Sequence, residues 1–144
     1  MREQNYSNHV RYDFGYHRVL LPVLALTLVG SCVNLYRSLG DHSRLYSASL
    51  IVVLTAAAIA QAVYSRVFAL KAQDRAIRAE ENFRHYLLTG KPLDGRLTAP
   101  QIVALRFASD AELPGLAKRA AEENLAADEI KRAIRHWRAD EHRV

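Results

Sequence analysis

The residues that could bind a metal or a haem are few and lie close to apolar segments or to the chain end. His17 could ligate the metal of a haem or a chlorophyll from a membrane boundary. His136, Asp140 and His142 are close enough along the chain to meet around one metal ion. A plain interfacial histidine and a solvated chain end are the commoner settings for such residues. We therefore predict no cofactor and no metal site.

Motifs for catalysis are lacking in the sequence. There is no phosphate-binding glycine loop, no CxxC pair, no HExxH and no recognisable order of Ser, His and acid. Proton pumps and haem carriers usually place a charged residue or a histidine inside a membrane span. The two apolar segments 19–36 and 45–65 contain neither. We expect no catalytic residue and no enzyme activity.

Two uncharged segments organise the 144-residue chain. Between Arg18 and Arg37, 18 consecutive residues carry no charge, and 21 do so between Arg44 and Arg66. Runs of this length can cross a hydrocarbon core of about 30 Å as helices. The alternative is a pair of buried helices in a soluble bundle, but a soluble core helix normally keeps a polar face, which 45–65 lacks. We predict a two-helix transmembrane hairpin over residues 19–65.

The second helix is predicted to continue beyond the membrane. No glycine or proline interrupts Leu45 to Leu88, and its second half is densely charged. One helix of this length would measure about 66 Å, more than twice the hydrocarbon core. Apolar residues recur along the charged half at steps of three and four, and we expect this stripe to pack against the rest of the chain. Its members are Phe68, Ala72, Ala76, Ala79, Phe83 and Leu87.

Three short helices are predicted after the long one, making an all-α cytoplasmic domain of residues 66–144. Thr98 can cap a helix that runs to about Ala108. Ser109 and Glu112 have the spacing of a capping box, in which each side chain binds the backbone amide of the other residue. The helix they begin should end near Asn124, and the last helix should cover about 127–137.

The distribution of Lys and Arg predicts orientation and lipid contacts. Residues 1–18, which are rich in Tyr, carry three and are expected along the membrane surface, the connector carries two, and the 20 residues after the second span carry five. Because positive charge stays on the cytoplasmic side, both termini should be cytoplasmic. Arg66, Lys71 and Arg75 are the candidates for anionic lipid headgroups.

Small residues predict where the spans contact other helices. Gly30 and Ser31 lie in the first span, and Ala56 and Ala60 form a small-xxx-small pair in the second. Such faces let helices approach closely in a membrane. Nucleic acid is not an expected partner, because the 15 basic residues from Arg66 onward are mixed with 12 acidic ones.

Cys32 opens an alternative reading of the first span. Leu28-Val29-Gly30-Ser31-Cys32 fits the cleavage site of a bacterial lipoprotein, in which case Cys32 would be acylated and the preceding residues removed. The leading segment contains Glu3 and Asp13 and is long for a signal, and a second apolar segment follows within about a dozen residues. The hairpin is therefore preferred.

Several segments resemble a family of uncharacterised bacterial two-pass membrane proteins, catalogued as a domain of unknown function. The residues that carry the likeness are Glu3-Gln4-Asn5-Tyr6 with Asn8-His9, and the runs 69–81, 101–116 and 130–144. The resemblance covers nearly the whole chain. It implies two spans in a bacterial inner membrane and implies no activity.

A non-catalytic accessory or structural subunit of a larger bacterial membrane complex, of respiratory or photosynthetic type, is the function we expect. Its partners would be other membrane protein subunits and anionic lipid headgroups. The alternative is a membrane-anchored adaptor or sensor whose cytoplasmic helices bind a soluble protein or acidic lipid. A membrane enzyme is a third class, disfavoured by the lack of converging ionisable groups.

Overall fold

The computed structural model describes residues 5–7 and 13–140, and its regular elements are helices. A π-helical turn runs directly into the first α-helix, and four α-helices follow. The elements are the π-turn Gly15–Leu20, α1 Leu21–Arg37, α2 His42–Thr89, α3 Ala99–Leu105, α4 Leu113–Glu123 and α5 Ala127–Ala133. The predicted all-helical class with two long apolar helices is confirmed, and no strand occurs in the described ranges.

The chain divides into two compact units. The apolar unit is Tyr12–Phe68, and the C-terminal unit is Ala69–Val144 together with Met1–Arg11. The hydrophobic core lies in the C-terminal unit. It consists of Leu93, Leu97, Ile102, Ala104, Leu105, Phe107, Ala108, Leu113, Ala117, Ala120, Ile130 and Ile134.

Helix formation in the apolar unit begins at Gly15, before the predicted start at Val19. Asp13 accepts a hydrogen bond from the amide of Tyr16 at 2.6 Å, which satisfies one of the free amides of the first turn. The π-turn immediately precedes Pro22, whose ring would crowd the carbonyl four residues back in a regular helix. The wider turn relieves this crowding: Leu21 donates its amide to the carbonyl of Tyr16, five residues back, and not to that of His17, four residues back.

Four residues, 38–41, join α1 to α2, and Asp41 organises the start of α2. Its Oδ1 accepts from the hydroxyl of Ser43 at 2.6 Å and from the Ser43 amide at 3.0 Å. These hydrogen bonds, the one from the hydroxyl first, lower the pKa of Asp41 because they stabilise the carboxylate. Asp41 and Ser43 therefore form a hydrogen-bonded turn at the start of α2.

Two of the three short helices differ from the prediction at their ends. α3 starts after Thr98, whose amide donates to Gln101 Oε1 at 2.7 Å, and it stops before the predicted Ala108. α4 ends at Glu123, in agreement with the predicted end near Asn124, and Asn124 itself is in the left-handed region at φ 52°. α5 stops at Ala133, four residues short of Trp137. The stop follows from Ile134, which is extended and buried in the core.

The residues after α5 run alongside the end of α3 as an extended segment. Arg138 donates its amide to the carbonyl of Phe107 at 2.7 Å, and Ser109 donates to the carbonyl of His136 at 3.1 Å. The rings of Phe107 and Trp137 pack with centroids 5.0 Å apart. The prediction that Trp137 lies on a helix was therefore wrong, because these backbone pairs replace the last helical turn.

The predicted capping box at the start of α4 is only partly formed. Ser109 Oγ lies 3.4 Å from Glu112 Oε2, but the amide of Ser109 goes to His136 and not to Glu112. The carboxylate of Glu112 instead accepts from the amide of His136 at 3.1 Å. The expected reciprocal bond was wrong because the extended tail supplies a better-placed donor.

Candidate interaction surface

Arg84 on α2 links its own helix to the segment between α3 and α4. Its Nη1 donates to Glu81 at 2.8 Å, its Nη2 donates to the carbonyl of Ala108 at 2.7 Å, and its Nε donates to Asp110 at 2.7 Å. The Arg84 side chain is 13% exposed and that of Glu81 is 6% exposed. A planar guanidinium with several fixed donors suits this role, and an ammonium group would not reach all three acceptors.

Glu81, the partner of Arg84, also lines a cleft of about 400 Å³, together with a second set of charged side chains. Arg106 Nε lies 2.8 Å from Asp140 Oδ2, and the Arg106 guanidinium lies over the ring of Phe107 at 4.5 Å. Glu81 also accepts from Arg138 at 3.4 Å. These two pairs of opposite charge hold the extended tail, through Asp140 and Arg138, against Arg106 and against Glu81 of α2.

Glu112 and His136 form the remaining link between the start of α4 and the tail. Burial is the largest influence on the Glu112 carboxyl and would raise its pKa. The amide and ring of His136 and the amide of Arg135 stabilise the carboxylate, and together they outweigh burial, so the pKa is lowered. Glu112 therefore contributes to stability in its charged form.

Tyr6 makes a contact that the sequence did not suggest. Its hydroxyl donates to Asp128 at 2.7 Å and accepts from Arg132 Nη2 at 3.1 Å, and the Arg132 guanidinium lies 5.3 Å from the Tyr6 ring centre. Both partners belong to α5. The abundance of tyrosine near the N-terminus favoured a membrane surface in the sequence argument, so this docking on α5 was not foreseen.

The helix-contact residues predicted from sequence are placed differently from one another. Ser31 is buried within the apolar unit, whereas Gly30, Ala56 and Ala60 are exposed. Among the residues that the structure describes in this unit, the other buried positions are Ser38, Ala48 and Thr55. The hydroxyls of Ser31, Ser38 and Thr55 donate to carbonyls of the preceding helical turn, so each is satisfied without a neighbouring helix.

One end of the apolar unit carries an aromatic and cationic contact. Tyr16 donates its hydroxyl to the carbonyl of Ala62 at 3.2 Å, and Arg66 lies over the Tyr16 ring at 5.6 Å. Arg66, predicted to contact lipid headgroups, is half-buried here, while Lys71 and Arg75 are exposed. Headgroup contact by these three residues stays a prediction.

His17 and His136, two of the histidines weighed for metal or haem binding, each have a local neighbour. Nδ1 of His17 lies 3.0 Å from the carbonyl of Asp13, and Nδ1 of His136 lies 3.3 Å from Glu112. His142 lies outside the described residues. Within the described ranges no three residues of the types His, Cys, Asp and Glu are grouped to hold a metal ion.

The apolar stripe of α2 lies on a different face from the one that the C-terminal unit covers. Ile77 and Glu81 are buried, with Arg84 beside them, whereas Phe83 is 62% and Leu87 67% exposed. The prediction that the stripe packs against the following helices was wrong. The segment after α3 and the tail contact the face that carries the acid and the arginine, through Ala108, Asp110 and Arg138.

The buried ion pairs, the Tyr6 contact and the extended tail were all missed from sequence. Glu81 and Arg84 did carry a signal, since they lie three residues apart on one helix, but such pairs are usually solvated.

Comparison with curated proteins and with solved structures finds no match to this chain. The profile of DUF6526, described as a family of unknown function, matches residues 1–144. This match spans the whole chain, and the protein belongs to the DUF6526 family.

Proposed function

We propose that this protein is a two-pass protein of the bacterial inner membrane and acts as a non-catalytic accessory subunit of a larger membrane complex. The observation that carries the proposal is the exposure of its apolar helices. In the most apolar windows of Gly15–Arg37 and His42–Thr89, only 6% and 11% of residues are buried. The core helix of a soluble protein would have most of that surface covered, so a lipid environment is the better match.

The side chains concerned are large and point to more than one side of each helix. Leu26 is 73% exposed, Val29 63% and Leu54 66%. Contiguous apolar surface on this scale is unfavourable in water and favourable in hydrocarbon. Backbone hydrogen bonds inside the helices satisfy the polar groups of the spans, which a membrane requires.

A helical hairpin with both termini in the cytoplasm is part of the proposal. The four-residue connection between α1 and α2 favours antiparallel neighbours. The hydrogen bond from Tyr16 to Ala62 supports the same arrangement, since each residue lies about 20 positions from the connector. More Lys and Arg flank the outer ends of the spans than the connector, which favours this orientation.

The accessory role is supported by small residues left uncovered. Gly30, Ala56 and Ala60 are exposed in the apolar unit, and a Cβ added at Gly30 would meet nothing within 4 Å. Small residues at the helix surface permit close approach of another span. Other membrane protein subunits are the partners that this surface suits, and Arg66, Lys71 and Arg75 suit anionic headgroups.

The first experiment tests membrane integration and topology. Alkaline carbonate washing should leave the protein in the membrane fraction, and proteases outside intact spheroplasts should leave its tails uncut. Release by carbonate would refute the membrane proposal. Cleavage of the tails from outside would refute the orientation.

The second experiment tests the accessory role with a matched pair of variants. Ala60→Leu places a bulky side chain on the proposed contact face, and Ala58→Leu places the same group about 160° around the helix. Both positions are exposed, so both variants should fold. After gentle detergent extraction, native mass measurement should show copurifying proteins for the wild type and for Ala58→Leu, and a loss for Ala60→Leu. A protein without partners in every case would refute this role.

An adaptor or sensor is the second candidate, favoured by the separate core of the C-terminal unit. A domain with its own core is expected to fold when detached from its anchor. This reading predicts that residues 66–144 fold alone and bind a soluble protein or acidic vesicles. An unfolded or inert fragment would eliminate it.

A further inference from the structure

A face of α2 in the C-terminal unit carries apolar side chains that no other described residue covers. Phe83, Tyr86 and Leu87 are 62%, 53% and 67% exposed. Ala72, Ala76 and Ala79 are exposed on the same side, one to three turns earlier. The residues that the unit does cover, Ile77 and Glu81, lie on the opposite side of the helix. We name this exposed face the seam, and its residues are Ala72, Ala76, Ala79, Phe83 and Tyr86.

The spacing of the seam is that of a coiled coil. Its five residues are separated by four, three, four and three positions, which places them alternately at the d and a positions of a heptad. Ala72, Ala79 and Tyr86 take d, and Ala76 and Phe83 take a. Alanine in the first heptad lets two helix axes approach closely, and the aromatic residues of the second bury the larger area.

The charges beside the seam complement those of an identical helix. Arg75 lies at the g position before the seam's first a residue, and Glu80 lies at the following e position, five residues later. In a parallel pair of helices, each g residue faces the e residue five positions on in its partner. Both side chains are exposed, and among the described residues neither has an ion pair of its own. Two Arg75–Glu80 pairs would therefore form across a two-fold axis.

The other flanking positions are compatible with the same pairing. Gln73 and Leu87 take e, and Asn82 takes g, so no like charges oppose each other. A lipid surface is a poorer occupant of the seam, because an anionic headgroup layer would meet the carboxylate of Glu80 beside it. In the pairing, Arg75 therefore faces this carboxylate, and Arg66 and Lys71 keep the proposed headgroup contact. The seam and its charges thus fit a copy of themselves.

We propose that the seam of α2 pairs with the seam of a second copy of this chain, in parallel and in register, with Arg75 of each copy facing Glu80 of the other. The parallel direction rests on the proposed function, since two copies inserted in one membrane with the same topology present α2 in the same direction. The pairing buries Phe83 and Tyr86 of both copies. It makes the copy itself one of the partners of the accessory subunit.

Cysteine cross-linking tests the pairing in the full-length protein. The background is Cys32→Ser, because Cys32 is exposed and would cross-link by itself. Ala76→Cys places a thiol in the seam, and Asp74→Cys places one at an exposed position on the far side of the helix. Mild oxidation in native membranes should join Ala76→Cys chains into a product of twice 16.2 kDa, roughly tenfold more than Asp74→Cys.

Charge reversal tests the register. Arg75→Glu sets two carboxylates against each other at both pairs and should weaken dimerisation in mild detergent roughly tenfold. Adding Glu80→Arg to it restores opposite charges in exchanged positions and should return the affinity to that of the wild type. Both changes are on exposed side chains, so folding should be unaffected. A double variant as weak as the single one would overturn the register.

The outcomes separate this inference from the proposed function. A cross-linked product between Ala76→Cys and a different protein would overturn pairing with a second copy, while the accessory role would stand. Equal cross-linking at Ala76 and Asp74 would also overturn it. Release of the wild type by carbonate would refute the membrane proposal, whatever the cross-linking shows.

Discussion

Replacing Arg84 tests whether one guanidinium holds the C-terminal unit together. In Arg84→Ala, the buried Glu81 keeps only Arg138 at 3.4 Å, and the carbonyl of the fully buried Ala108 loses the 2.7 Å donor. Leaving a buried group without its partner costs about 1–3 kcal/mol each. The pair with Asp110, whose side chain is 70% exposed, adds about 0–1 kcal/mol. The expected loss is about 2–7 kcal/mol, with a central value of about 4 kcal/mol.

That loss is a large share of the stability of a small domain, about 5–15 kcal/mol. With a urea slope of about 1–2 kcal/mol per M, a loss of about 4 kcal/mol should lower the unfolding midpoint by roughly 2–4 M. The assay is the fluorescence of Trp137 during urea unfolding of the full-length protein in a mild non-ionic detergent. Trp137 is the only tryptophan, and it packs on Phe107 in the C-terminal unit. Its signal therefore reports the unfolding of that unit.

Two further variants show whether the three acceptors matter. Arg84→Lys keeps the charge but loses the planar set of donors, and about half of the destabilisation should remain. Arg119→Ala removes an exposed pair with Glu123, and should change the free energy of unfolding by less than about 0.5 kcal/mol. If Arg84→Ala shifts the midpoint no more than Arg119→Ala does, the reasoning on buried partners is refuted.

Three other predictions concern the same unit. Phe107→Ala should cost about 3–5 kcal/mol by circular dichroism during urea unfolding, because Phe107 is fully buried, and Phe107→Leu should cost less than half of that; equal costs would contradict it. Asn124→Ala should lower stability by about 1 kcal/mol in the same assay, and Asn124→Gly should be close to neutral, because φ is 52° at this residue. Glu112 has a lowered pKa, so its stabilisation is present above its ordinary pKa near 4.5 and is lost as pH falls through the folded value. The wild type should therefore lose its advantage over Glu112→Gln between pH 6 and strongly acidic solution, and an advantage that does not change with pH would disprove the assignment.

The sequence was sufficient to predict the helices but not their faces. The two apolar helices follow from uncharged runs of 18 and 21 residues, and the uninterrupted α2 follows from the lack of glycine and proline between Leu45 and Leu88. The end of α4 at Asn124 was also predictable, since few residues adopt a left-handed conformation easily. These features depend only on neighbouring residues.

The end of α5 could not be predicted because it is decided by distant partners. Ile130, Ile134 and Trp137 have helical spacing, and nothing nearby in the sequence forbids a helix. The tail is extended because Phe107 and Ser109, 31 and 27 residues before their partners in the tail, supply a carbonyl and an amide to it. Hydrogen bonds between distant segments outweigh a weak local preference.

The face of α2 covered by the C-terminal unit illustrates the same limit in the candidate site. Hydrophobic periodicity selected the stripe through Phe83 and Leu87, yet the unit covers Ile77, Glu81 and Arg84. Periodicity measures where apolar side chains lie, and it carries no information on which of two faces meets which neighbour. Arg84 can lie in an interface because Glu81, Asp110 and a carbonyl satisfy it.

The proposed pairing gives α2 two occupied faces: the face with Ile77 and Glu81 contacts its own chain, and the apolar stripe contacts a second copy. If the stripe served the fold of its own chain, replacing Phe83 by a polar residue would unfold the C-terminal unit. With Phe83 62% exposed, we expect Phe83→Gln to change the free energy of unfolding of the unit by less than about 0.5 kcal/mol in dilute detergent, where copies are separated. The same variant should abolish cross-linking through Ala76→Cys in native membranes. If Phe83→Gln unfolds the unit, the face with Phe83 belongs to the chain's own core. The assignment of this face to a second copy would then be wrong.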